Sequence, residues 1–335
     1  MKVDKHHKNL QPAKEREKAL TIIEFNGKVL TPPVPVYLPW NLSADQFKKL
    51  LPDNSEDREP AFGFPALKNW LVKLLRTLDA QEDEMHPFHS NPYRLRKLDI
   101  EAADWFREGK LGFMKLQSEF RNDNPDKEKN WMPGAVFLRG GSVAVLIIVQ
   151  PEDAEGEDEK QVILTVQPRV AASSLAFTEI PAGMLDDEQG SFAGKAAKEI
   201  KEETGLEIQE SELLDMTKLA LGGVSPDRLS AAESLEKALY PSPGACDEFI
   251  TLYLCQKRLQ REHLEHLAGK ATGLVKEGEN IKLKLVPLTM LWREGARDAK
   301  ALAALSLYEN MKRIGMLPDM PSNLDERSRH WRSER

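Results

Sequence analysis

The stretch from Glu179 to Leu206 constrains this chain more than any other. It opens as a short strand, passes through a Pro181-Ala182-Gly183 turn, and becomes a helix that ends at Gly205, a residue suited to the left-handed cap. Within that helix Glu199, Glu202 and Glu203 fall at i, i+3 and i+4, so the three carboxylates share one face. Like charges at this spacing repel, and oxygen donors of this kind suit a hard cation such as Mg2+ or Mn2+. The plainer alternative is a solvated face, because Lys195 and Lys198 stand one turn before Glu199 and Glu202 and can form weak ion pairs with them. The flanking sequence decides between the two.

At 335 residues the chain can hold one large domain or two modest ones. A net charge of -7 argues against nucleic acid as the main partner, and it means that an anionic substrate needs a local positive patch or a metal. The only cysteines, Cys246 and Cys255, are too few for a disulfide framework, which points to a reducing compartment with the cytoplasm as the default. No apolar run approaches the ~18 residues of a membrane span. The charged N-terminus lacks the apolar core of a secretory signal.

Residues 1 to 20 read as a mobile polar tail. Leu20 to Leu38 alternates around Gly27 and three prolines, which predicts one or two short strands. Ser43 is placed to cap a short helix through Leu51. After Pro65, Leu67, Trp70, Leu71, Leu74, Leu75 and Leu78 recur at helical spacing as a core-facing stripe. Tyr93 to Phe120 gives a mixed signal. Ala135 to Leu138 and Ser142 to Gln150 read as strands, the second so apolar that it should be buried on both faces. Gln161 to Val166 is its partner across an acidic loop. Further on, Met216 to Gly222 reads as a strand, Leu229 to Leu239 as a helix, Asp247 to Leu259 and Ile281 to Leu288 as strands, and Asp298 to Met316 as an amphipathic helix. Strands with interleaved helices on a mixed sheet make the fold α/β (α+β). The expected division is a smaller N-terminal module over 21–130, a main domain over 131–318 and a polar tail over 319–335.

Gly183 followed by Lys198-Glu199-Ile200-Lys201-Glu202-Glu203-Thr204-Gly205-Leu206 resembles the Nudix box. Two departures stand out: Lys198 occupies the position of the pattern's Arg, and the loop after Gly183 is one residue longer, so the pattern's first Glu falls on Glu188 or is absent. Several neighbouring segments resemble the branch of that family that hydrolyses ADP-ribose and nucleoside-diphosphate sugars. They are Gln167-Pro168-Arg169, Glu179-Ile180-Pro181-Ala182-Gly183, Ser242-Pro243-Gly244 before Asp247-Glu248, and Glu277-Gly278-Glu279. With Leu291-Trp292-Arg293 and Asp298-Ala299-Lys300, the whole is most similar to the plant ADP-sugar pyrophosphatase type.

That resemblance implies an α/β/α Nudix sandwich preceded by a β-rich module that builds a homodimer and helps shape the substrate pocket. It implies Mg2+, or Mn2+ in its place, held by Glu199, Glu203 and the carbonyl of Ala182, with Glu202 sharing an ion. Arg169 would meet a phosphate or the terminal ribose, Glu179, Asp247 and Glu248 would bind substrate, and Glu277 or Glu279 would be the base. The implied reaction is hydrolysis of ADP-ribose or ADP-glucose to a nucleoside monophosphate and a sugar phosphate. The alternatives are UDP-glucose or another nucleotide pyrophosphate, and a Nudix domain that senses a nucleotide sugar without cleaving it.

His263 and His266 lie at i, i+3 in a charged helical turn with no third ligand nearby in sequence, so a surface helix is the better reading there than zinc.

Overall fold

The computed structural model describes residues 18–51, 64–107, 109–185, 191–222, 235–273 and 280–322. They divide into two compact units. One comprises Met1–Arg139 with Asp227–Ser234 and Ser242–Asp247; the other holds the remainder from Gly140 onward.

The first unit is built on a six-stranded sheet. Strands β1 (Lys18–Phe25) and β2 (Lys28–Tyr37) form an antiparallel hairpin. Asn26 and Gly27 both take positive φ at its turn, the conformation for which Asn-Gly pairs are favoured. Helix α1 (Ala44–Leu50) starts at Ser43, whose hydroxyl accepts from the Gln46 amide while Gln46 reaches back to the Ser43 amide. Helix α2 (Ala66–Asp79) buries Leu67, Leu71 and Leu75, with Trp70, Leu74 and Leu78 packed around the same core. The stretch that gave a mixed signal is a long antiparallel pair, β3 (Arg94–Arg107) and β4 (Lys110–Arg121). Four register shifts interrupt that pairing, and each breaks the alternation by which a strand is recognised in sequence. The short strands β5 (Trp131–Met132) and β6 (Ala135–Leu138) both pair with β4.

The second unit is an eight-stranded mixed sheet between two layers of helices. Strand β7 (Ser142–Pro151) is buried at all ten positions, as its unbroken apolar run predicts. Its alternate residues feed two different cores. Val143, Val145, Ile147 and Val149 pack with Ala196 and Ile200 of helix α3 (Phe192–Thr204). Ala144, Leu146 and Ile148 pack with Ala301, Ala304 and Tyr308 far along the chain. Along one edge β7 runs parallel to β12 (Ile250–Leu259). Its other edge is shared. Strand β8 (Gln161–Arg169) pairs at Ile148 and Val149, and β10 (Ala182–Met184) pairs from Ser142 to Ala144. Between them in sequence, β9 (Ser174–Glu179) lies antiparallel on β8. The Pro-Ala-Gly segment is therefore extended at Ala182 and Gly183, because the upper half of β7 offers it a free edge.

The sheet is completed by β11 (Leu214–Asp215), β13 (Ala271–Thr272) and β14 (Ile281–Pro287). Met216–Gly222, expected as a strand, is helix α4. Asp215 accepts from the Lys218 amide at 2.8 Å and so starts the helix, and a short apolar run does not by itself choose between the two states. Of the helix expected over Leu229 to Leu239, residues 229–234 lie outside the described residues, and Leu239 instead bridges Ile250. Helices α5 (Arg261–Leu267), α6 (Leu291–Glu294) and α7 (Ala299–Arg313) follow. Asp298 caps α7 by accepting from the Lys300 amide.

Candidate active site

Helix α3 is anchored at both ends. Ser191 accepts from the Gly194 amide at 2.9 Å, and Gly205 closes the last turn at φ 75°. Ala196 and Ile200 face the sheet, and that fixes the rotation of the helix. One consequence is that Glu203, on the carboxylate face, is also driven inward and is only 4% exposed.

Two strands meet the buried Glu203 carboxylate. Gln167 of β8 donates to one oxygen at 3.2 Å, and the backbone amide of Ala182 in β10 donates to the other at 3.1 Å. Burial pushes its pKa up to about 8, and the charges of Glu199 and Glu179 push the same way against those two hydrogen bonds. Glu199 comes to the same place by a different route. A Cβ at Gly183 would lie 1.9 Å from the Glu199 carboxyl carbon, so only glycine leaves room for that side chain. Glu202 keeps a quarter of its side chain exposed, and Lys198 approaches it at 3.7 Å. Lys198 thus still serves a neighbouring carboxylate, as a point charge and without the fork of an arginine.

A second buried network lies beside the first. Glu179, at 2% exposure, accepts from Arg169 Nε at 2.6 Å and from Lys300 Nζ at 2.9 Å. Lys300 also donates to Asp298 Oδ1 at 2.9 Å, and Asp298 Oδ2 accepts from the Ile180 amide at 3.0 Å. Burial pulls the Lys300 ammonium down, but the charges of Glu179 and Asp298 outweigh it and hold it above its ordinary range. The turn leading into Ala182 is therefore pinned by the N-terminus of α7.

The expected site residues are thus only partly brought together. Glu199, Glu203, Ala182 and Gly183 meet, Glu202 stands on the same helix face, and Arg169 joins Glu179. Asp247 accepts from the Arg139 amide at 2.7 Å, and Glu248 accepts from the Ser142 hydroxyl at 3.1 Å. Glu277 and Glu279, and with them Glu188 in the lengthened loop, lie outside the described residues. Sequence reasoning gave Gln167, Asp298 and Lys300 no role of their own. Gln167 had a signal, since it stands on the same strand end as Arg169; Lys300 had none beyond its place in the first turn of a helix.

Among the described residues, no three or more His, Cys, Asp or Glu side chains are gathered closely enough to hold a metal ion as they stand. The donor set nevertheless fits a hard divalent cation. Its side chains offer carboxylate oxygens, and the pKa of Glu203 is raised first by burial and further by the charges of Glu199 and Glu179, both of which a bound cation offsets.

No family model matches the chain. The chain is 35% identical over 265 residues to Nudix hydrolase 14, chloroplastic, of Arabidopsis thaliana, which covers 79% of this chain and 76% of that protein. A crystal structure of an ADP compounds hydrolase covers 67% of this chain and 98% of its own, at 16% identity and a TM-score of 0.38.

Proposed function

The chain belongs to the Nudix hydrolase family, and from that premise we propose that it hydrolyses a nucleoside-diphosphate sugar, ADP-ribose or ADP-glucose, to a nucleoside monophosphate and a sugar phosphate. The observation that carries this reading is the buried Glu203 carboxylate, held between Gln167 and the Ala182 amide, with Glu199 seated on Gly183 beside it. An acid kept at such electrostatic cost is what a cation site requires and what a merely solvated helix face does not.

In the proposed reaction a water oxygen bonds to one phosphorus as the bridging P–O bond breaks, and the water gives up a proton. Mg2+, or Mn2+ in its place, neutralises phosphate oxygens and lowers the pKa of a water when bound. Glu199, Glu203 and the Ala182 carbonyl would hold it, with Glu202 sharing. Glu277 or Glu279 takes the proton. Glu179 uses only the Nε of Arg169, which leaves the terminal nitrogens of that guanidinium for a phosphate or ribose oxygen. Glu179, Asp247 and Glu248 complete the proposed substrate contacts.

The test is to incubate the protein with Mg2+ and, separately, ADP-ribose, ADP-glucose and UDP-glucose, with products identified by mass spectrometry. AMP from one ADP-sugar is expected, and UMP from the uridine substrate alone would reassign the base. A nucleotide-sugar sensor is the second reading, motivated by Lys198 in the place of the pattern's Arg and by the loop that is one residue longer. It is adopted if every substrate raises the melting temperature and none yields product.

Two further assignments belong to this proposal. A homodimer is supported by an aromatic row in the first unit whose two ends, Phe106 and Phe137, are exposed: Phe106 packs edge-on against the half-buried Phe113, which lies tilted against Phe137. A cytoplasmic setting rests on the scarcity of cysteine, two residues being too few for a disulfide framework; no described helix is long and apolar enough to cross a membrane.

A further inference from the structure

A cavity of about 490 Å3 opens in the second unit between β9 and the turn that joins α6 to α7. Its lining includes Ser174, Phe177, Thr178, Arg293, Glu294 and Arg297. In a chain of net charge -7 the balance here is reversed. Glu294 is engaged by Lys284 at 2.5 Å, whereas no carboxylate among the described residues forms an ion pair with Arg293 or Arg297. Arg293 is held by stacking, its guanidinium carbon 4.7 Å from the Trp292 ring centroid. The Thr178 hydroxyl has no hydrogen-bond partner among the described residues.

The walls of this cavity are fixed by chemistry already described. Glu179, at the end of β9, and Asp298, directly after Arg297, both bind Lys300. Two guanidinium groups and a hydroxyl without polar partners among the described residues line one cleft with the Phe177 ring, a set that suits a phosphate dianion attached to a ring. The volume lies within the ~300–1,000 Å3 of small-molecule sites and exceeds what a free phosphate ion fills.

The geometry points to a second binding site on this chain, for a phosphomonoester such as a sugar phosphate or nucleoside monophosphate, gripped by Arg293 and Arg297. It requires neither metal nor the carboxylates of α3, and so it does not depend on the hydrolase reading.

The experiment is titration calorimetry on the full chain with excess chelator, using AMP, ribose 5-phosphate and inorganic phosphate as separate probes. Saturable binding of an organic phosphate is expected, weakened at least tenfold in R293A/R297A and less in R293K/R297K, which keeps the charge but not the fork. E203Q should bind as the parent does. Tighter binding of ribose 5-phosphate or AMP than of inorganic phosphate assigns the site to an organic ligand, and equal binding assigns it to the free anion. Unchanged affinity in a folded R293A/R297A, loss of binding in E203Q, or no binding of any probe at millimolar concentration each overturns the proposal.

Discussion

At the scale of single residues, Gly183 and Glu203 make the sharpest statements. The obstacle to a side chain at 183 is the end of a flexible glutamate rather than backbone, so Gly183→Ala should displace the Glu199 carboxylate and leave the fold standing. The expected result is at least a tenfold rise in the Mg2+ concentration needed for half-maximal turnover, with the melting temperature within a few degrees of the parent. Glu203→Gln keeps the size and the burial but removes the charge, and should abolish turnover in a protein that melts cooperatively. A fully active, normally folded Glu203→Gln would remove the metal assignment.

Glu203 also sets a pH dependence in the metal-free protein. Its folded pKa of about 8 lies above the ordinary 4.5, so folding takes up a proton between these values. The associated stability is fully present below pH 4.5 and is lost as pH rises through about 8. Denaturant titrations in chelator at pH 5 and pH 8.5 should show this loss, and Glu203→Gln should flatten it. Added Mg2+ should restore stability at the higher pH, because the ion binds only the folded chain.

At the scale of elements, α7 does more than cover the sheet. Its N-terminus supplies the cap residue Asp298 to the Ile180 amide and Lys300 to Glu179, across 121 residues of sequence in the case of Lys300. Replacing Lys300 by Met leaves two buried carboxylates without their shared cation, which costs about 3–5 kcal/mol for a broken buried pair. Chemical denaturation should register that loss, and Lys300→Arg should recover part of it. The legibility of elements followed a simple rule. Helices with caps and stripes, such as α1, α2 and α3, could be read directly, because spacing and capping are local. β3 and β4 could not, since their bulges are imposed by pairing with each other, and α4 could not, since seven apolar-leaning residues carry too little period.

The whole-molecule question is the proposed homodimer. If the aromatic row formed by Phe106, Phe113 and Phe137 is the contact, Phe106→Ser should convert a dimer into a monomer in sedimentation equilibrium at micromolar concentration. Phe106 is more than half exposed, so its loss should cost the isolated chain little stability. A dimer that withstands the substitution would place the contact elsewhere.

What is short-range was already written in the chain: the helix that carries Glu199, Glu202 and Glu203, its cap at Gly205, and the two-sided burial of β7. Each is written in residues within a few turns or one strand of each other. Only the tertiary structure decided what those residues meet. Gln167 and the Ala182 amide reach Glu203 because β8 and β10 divide one edge of β7 between them, and Lys300 reaches Glu179 because α7 packs on the same sheet. Periodicity records which face of an element is apolar, whereas the partners on that face are fixed by sheet register and packing between segments far apart in the chain.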